Sequence, residues 1–220
     1  MAKQKEGVYE RVLECAEKEF LKKGFKDASL REIAKEAGTS TGSIYTRFGD
    51  KEGLFRELAE PVLEELKELF TAIQERFDQL EEDCKESSMR SYSENGMEKV
   101  LDYIYDHMDA FKLLLDASYG TRFQNFLDEL VEIEVRYTFR YMKAIGCRTL
   151  EEGKTSEEFI HIAATGYFSA MFEVVRHNMD RDQAERYIDM LQKYHQAGFD
   201  TIFYPEKYEH GKDDLTDPIS

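Results

Sequence analysis

Residues 29–54, SLREIAKEAGTSTGSIYTRFGDKEGL, constrain the fold more tightly than any other part of the chain. Ser29 followed by Glu32 has capping-box spacing, and it opens a short helix with Leu30, Ile33, Ala34 and Ala37 on its apolar side. Gly38 ends that helix, because a left-handed backbone costs glycine little. Thr39 or Ser40 can cap a second short helix that buries Ile44 and Phe48. Two short helices joined by so tight a turn describe a helix-turn-helix. The outer face of the second helix is small and hydroxylated, with Thr41, Gly42, Ser43 and Thr46 flanked by Tyr45 and Lys51. Such a face suits close approach to a groove rather than burial in a core.

The rest of the chain reads as helix. A first helix is expected from about Gly7 to Lys23, where Val8, Val12, Ala16 and Phe20 recur every fourth residue, and Gly24 stops it. Lys3 and Lys5 precede it, placed either to reach phosphate or to lie in a solvated tail. After the motif, Asp50 or Gly49 can cap a long helix carrying Phe55, Leu58, Val62, Leu66, Leu69, Ile73, Phe77 and Leu80, with a kink or break possible at Pro61. Residues 83–96 lose the periodicity and read as a loop. Helical stripes return over 97–109, 110–118 and 123–145, the last stopped by Gly146. Ser156 and Asp180 can cap two final helices, expected to be antiparallel neighbours across a short polar turn. The expected fold is all-α, with about nine helices: a three-helix head over 1–50, a helical body over 51–205 and a charged tail over 206–220.

Charge divides the same way. The formal net charge is −16, yet residues 1–60 balance 12 Lys and Arg against 12 Asp and Glu, so the whole excess lies beyond them. A neutral head can still bind phosphate through locally placed cations and helix N-termini, while an acidic body faces away. The opening MAKQKEGVYE has no signal-peptide pattern, and no apolar run approaches membrane-spanning length. Cys15, Cys84 and Cys147 are isolated and lack metal-ligand spacing, which fits reduced thiols and a cytoplasmic protein without metal or cofactor.

Phe20, Gly24, Ser29, Ile33, Ala34, Ala37, Gly38, Ser40, Gly42, Tyr45, Phe48, Lys51, Leu54 and Phe55, at their fixed offsets, resemble the DNA-binding domain of the TetR family of transcriptional repressors. The resemblance covers roughly the first quarter of the chain in detail; the remainder agrees only in length and helical pattern. It implies a homodimer that binds a palindromic double-stranded DNA operator and releases it when a small molecule binds the body. Ser29, Thr39, Ser40, Thr41, Gly42, Ser43, Tyr45, Thr46 and Lys51 are the expected DNA contacts. Ser40, Thr41, Ser43 and Thr46 offer hydroxyls or methyl groups to base edges, Gly42 permits close approach, and Tyr45 and Lys51 suit phosphate. In the family the last two long helices form the dimer interface. Ala163, Gly166, Ala170, Tyr187, Leu191, Tyr194 and Gly198 are its candidates here, while Phe168, Phe172 and Val175 serve as either interface anchors or core.

An apolar or aromatic effector, with a cationic one as the alternative, is expected at Tyr103, His107, Phe111, Phe126, Tyr137, Tyr141, Tyr167 and Met171. The long helix from Lys51 is the expected lever between effector and head. The histidines form no HExxH pair, and P-loop, GxSxG and dinucleotide fingerprints are missing, so no enzyme is expected. The competing reading is a TetR-like regulator controlled by a protein partner or acting without an effector.

Overall fold

The computed structural model describes the backbone of residues 2–209 and the side chains of residues 7–208. The side chains of Lys3 and Lys5 and the tail beyond residue 209 lie outside the described residues. Twelve α-helical segments are present among them, three of which are four-residue turns, leaving nine longer ones. The fold is all-α.

The described residues form two compact units. One comprises the residues up to Leu69 with Lys99–Phe126 and Val175–Asn178; the other comprises Phe70–Glu98, Leu127–Val174 and the residues from Met179 onward. In the first unit, α1 (Ala2–Asp27) is broken at Gly24, whose φ of 74° and ψ of 165° are not helical, so the expected stop is an interruption before one more turn. Helices α2 (Leu30–Glu36), α3 (Thr41–Phe48) and the start of α4 (Lys51–Asp78) pack on it. Their core is Val12, Ala16, Phe20, Ile33, Ala34, Ala37, Ile44, Phe48, Leu54 and Phe55. Phe20 meets Phe55 edge-on at 5.2 Å, and Phe25 meets Phe55 at 5.7 Å.

Helix α4 is one continuous element through Pro61, which lies on an exposed face where water can serve the carbonyl left without a donor. Its most buried seam is Phe55, Ala59, Leu63, Leu66, Phe70 and Phe77. The loop expected over 83–96 is instead the first half of α5 (Glu82–Asp106), a correction. Its serines hydrogen-bond the helix itself, Ser87 Oγ to the Cys84 carbonyl at 3.1 Å and Ser91 Oγ to the Ser88 carbonyl at 3.1 Å. Tyr92 meets Phe77 at 5.6 Å, and a Cβ on Gly96 would lie 2.8 Å from Ile73 Cγ2. Tertiary packing on α4 overrides weak helix propensity here.

Helix α6 (Met108–Lys112) continues as a π-helical turn over Leu113–Ala117, and a 3₁₀ turn at Arg122–Asn125 precedes α7 (Phe126–Ala144). Between them Ser118 Oγ donates to the Leu114 carbonyl at 2.6 Å and Thr121 Oγ1 to the Ser118 carbonyl at 2.7 Å, so this buried reversal satisfies its own polar groups. After the turn α8 (Arg148–Glu151) come α9 (Glu157–Met171), the turn α10 (Glu173–Arg176), α11 (Arg181–Phe203) and the turn α12 (Glu206–Glu209). Ser156 caps α9, and Asp180 with Gln183 forms a complete capping box on α11. In the second unit α9 and α11 are antiparallel neighbours: Tyr187 donates to the Ala170 carbonyl at 2.9 Å, and Tyr167 stacks on His195 at 4.2 Å. No helix among the described residues is long and apolar enough to cross a membrane.

Candidate DNA-binding interface

The turn between α2 and α3 is built by backbone chemistry. Gly38 has a φ of 69°, and the Thr39 N–H reaches back to the Ala34 carbonyl at 2.8 Å, closing α2. Ser29 Oγ accepts the Glu32 N–H at 3.4 Å, but the reciprocal half of the capping box is not used. The Ser29 N–H goes to Glu19 Oε1 at 3.0 Å instead, tying the start of α2 to α1. Between the two expected caps of α3, Ser40 takes the role: its Oγ accepts the Ser43 N–H at 3.1 Å.

Helix α3 therefore presents one face to the core and one to solvent. Ile44 and Phe48 are buried, while Gly42, Ser43, Tyr45, Thr46 and Arg47 are exposed, Tyr45 by 52%. Thr41 and Thr39 are half-buried, as is Ser29. Ser40 and Ser43 pair their hydroxyls at 2.9 Å, and Thr46 Oγ1 donates to the Gly42 carbonyl at 2.8 Å, which leaves its methyl group and lone pairs outward. A Cβ on Gly42 would meet only Ser40 Oγ, at 3.7 Å. The expected contact residues on α3 thus share one open face.

Lys51 has an intramolecular task as well. Its Nζ donates to the Lys26 carbonyl at 2.9 Å and the Ala28 carbonyl at 3.1 Å and lies 4.8 Å from the centre of the Phe25 ring. Two of its three N–H groups hold the chain between α1 and α2. Three residues outside the expected contact set also shape this interface. Tyr9 stacks on Phe48 at 5.7 Å, donates to Glu57 Oε2 at 2.9 Å and carries the Arg47 guanidinium 3.9 Å above its ring centre. Gly53 sits where a Cβ would fall 1.9 Å from the Phe48 carbonyl oxygen, so it permits the close passage from α3 into α4. Asp50 Oδ1 accepts the Gly53 N–H at 2.7 Å and caps that helix. Tyr9 continues the α1 stripe three residues before Val12, a periodicity the sequence displays; Gly53 carries no local cue beyond its identity.

The family model for bacterial regulatory proteins of the tetR family matches residues 12–58, the span that contains α2, α3 and their packing partners. Residues 12–58 therefore carry a helix-turn-helix of the tetR type. Over 174 residues it is 26% identical to an HTH-type transcriptional regulator of Haemophilus influenzae, covering 74% of this chain and 73% of that one. The HTH-type regulator YvdT of Bacillus subtilis is 40% identical over 63 residues, 29% of this chain and 32% of its own length. In structure, a TetR-family regulator from Mesorhizobium loti aligns over 87% of this chain and 96% of its own with a TM-score of 0.54 and 17% identity, a likeness of fold. Within that span α3 is the second helix of the helix-turn-helix.

The other expected site residues fall into both units. In the first, Tyr103 donates to the Val62 carbonyl at 3.1 Å and to Glu65 Oε2 at 3.0 Å, and burial, then Glu65, pushes its phenol up. His107 Nδ1 lies 2.9 Å from the Tyr103 carbonyl oxygen, and Phe111 and Phe126 are buried. In the second unit Tyr137, Tyr141 and Met171 are buried, and Tyr141 shares a short hydrogen bond with Tyr204. Tyr167 lies between Phe168 and His195.

Near it is a group sequence reasoning missed: Glu134, whose carboxyl accepts from Gln74 Nε2 at 2.6 Å and from Thr138 Oγ1 at 3.4 Å. Burial pushes Glu134 up to about 7 and His195 down to about 4. Of the dimer candidates, Gly166, Tyr194 and Gly198 are exposed and Ala163, Ala170, Tyr187 and Leu191 half-buried. Phe168, Phe172 and Val175 are core. Ile162, Met190 and Tyr194, exposed by 69%, 66% and 78%, extend the α9–α11 face with two large apolar side chains absent from the expected set.

Proposed function

We propose that the protein is a ligand-responsive repressor that binds a palindromic operator as a homodimer and leaves it when a small molecule occupies the helical body. The observation that carries the DNA half of this reading is the two-sided character of α3: Ile44 and Phe48 are sealed into the core while every other residue from Gly42 to Arg47 faces outward. Contacts are assigned to Ser29, Thr39, Ser40, Thr41, Gly42, Ser43, Tyr45, Thr46 and Lys51, the last through its third N–H. In this reading residues 1–50 read DNA, and residues 51–205 sense the effector and dimerise.

The dimer assignment rests on α9 and α11. Phe159, Ile162, Gly166, Met190, Tyr194 and Gly198 make an exposed apolar and small-residue face on two adjacent helices of one unit. Soluble monomers rarely expose such contiguous patches. A two-fold copy of the same face would cover it and set two recognition helices against two half-sites. Effector binding is assigned to Tyr103, His107, Phe111, Phe126, Tyr137, Tyr141, Tyr167 and Met171.

The test is a DNA titration on the selected operator with and without compounds that bind the protein in calorimetry. Release on binding supports the reading. A compound that binds the body and leaves DNA affinity unchanged contradicts the effector half, and the protein is then a regulator controlled by another route.

A further inference from the structure

Glu134 and Asp78 belong to the same unit and are partnered differently. Asp78, for comparison, pairs with Arg140 at 2.9 Å and Lys85 at 3.7 Å. Glu134 is bound only by the Gln74 amide and the Thr138 hydroxyl, both neutral, and among the described residues no lysine or arginine pairs with it. Residues of four helices of the second unit are linked here: Gln74 of α4 and Thr138 of α7 bond Glu134 of α7, whose charge acts on Tyr167 of α9, which stacks on His195 of α11. The His195 ring stacks on Tyr167 at 4.2 Å and lies 4.7 Å from Phe199. Neither the Tyr167 hydroxyl nor the His195 ring nitrogens have a hydrogen-bond partner among the described residues. The cluster therefore holds one ionisable acid without a counter-charge beside a set of aromatic faces.

We propose that this cluster recognises a cationic effector: a protonated amine or quaternary ammonium head against the Glu134 carboxylate, with an aromatic or apolar body against Tyr167, His195 and Phe199. This rests on the effector-responsive reading above and names the ligand class. A cation supplies the charge that Glu134 lacks, and aromatic faces attract it further. The neighbouring groups favour this sign of charge. Burial pushes His195 down to about 4, so its imidazole is neutral and offers an anion nothing. Tyr167 is pushed up, first by burial and then by the Glu134 charge, so it is a neutral phenol. Glu134 itself is pushed up to about 7, so it takes a charge readily once a cation is beside it.

Three probes with one phenylbutyl body and different heads test the idea on the full-length protein: 4-phenylbutylammonium, 4-phenylbutanol and 4-phenylbutyrate, measured by calorimetry. The ammonium should bind roughly tenfold or more tighter than the alcohol, and the carboxylate weakest, given the strength of a charge-assisted contact. Glu134→Gln keeps the shape of the side chain and should erase the preference for the ammonium while leaving alcohol binding unchanged. The preference should also grow between about pH 6 and pH 8, because only Glu134 among the groups named changes charge in that interval. Equal binding of the three heads, preference for the carboxylate, or no binding of any probe overturns the proposal. The comparison of heads uses the wild-type protein and does not depend on how the variant folds.

Operator titration in parallel separates the two readings. Selective ammonium binding without release of DNA keeps the cation site and removes its effector role. Carboxylate binding with release keeps the effector reading and removes the cation.

Discussion

At the scale of single residues, the two shifted groups of the second unit give opposite pH signatures. Glu134 is raised from an ordinary 4.5 to about 7, so its neutral burial stabilises the fold below about 4.5 and that contribution is lost as pH rises to about 7. The full interval corresponds to on the order of 3 kcal/mol. His195 is lowered from 6.5 to about 4, so its contribution is present above about 6.5 and lost as pH falls to about 4. The two slopes oppose each other between those limits and flatten the wild-type profile. In chemical denaturation across pH, Glu134→Gln should therefore leave a stability that rises from about pH 4 to 6.5, with its largest gain over wild type above about pH 7. His195→Phe should leave one that falls from about pH 4.5 to 7. A second contrast concerns two glycines. Gly53→Ala forces a Cβ to 1.9 Å from a backbone oxygen and should cost roughly 1–3 kcal/mol in thermal unfolding. Gly42→Ala meets nothing closer than 3.7 Å, so it should leave stability intact and weaken only DNA binding.

At the scale of elements, α3 is fixed by its cap and by the Tyr9 ring. Ser40→Ala should lower stability by about 1 kcal/mol through loss of the cap. Arg47 is held over the Tyr9 ring at the end of α3, and its reach to phosphate is open to test. Arg47→Ala should flatten the slope of log affinity against log salt by about 0.9, whereas Tyr9→Ala should weaken binding with a smaller change in slope. The motif was legible because its determinants are local: caps, a left-handed glycine and apolar steps of three and four all lie within 26 residues. Helix α5 was not legible. Its serines and glycine speak against helix, and contacts with other elements, such as Tyr92 with Phe77, Gly96 with Ile73 and the Ser93 carbonyl with Gln192, favour it. The π turn at Leu113–Ala117 has no sequence cue of its own. Glu134 looked like one more acid on an acidic helix, because its defining partner, Gln74, is 60 residues away. Lys51 was readable as a cation near the motif, but its bonds to the carbonyls of residues 26 and 28 were not.

At the scale of the whole molecule, the proposed function needs two copies acting together. Ile162→Glu combined with Tyr194→Glu places charges on the exposed α9–α11 face, away from the core. The variant should sediment as a folded monomer and lose operator affinity, since one head meets one half-site. Wild-type binding should fall with salt through the phosphate contacts of the head, while screening of the acidic excess beyond residue 60 offsets part of that slope. The most direct test of the central claim is selection from a random duplex library followed by titration of the enriched sequence with wild type and with Tyr45→Ala. The selection should enrich an inverted repeat bound by two chains, and Tyr45→Ala should lose roughly tenfold or more in affinity at unchanged stability. Enrichment of no symmetric sequence, or equal affinity of Tyr45→Ala and wild type, would contradict it.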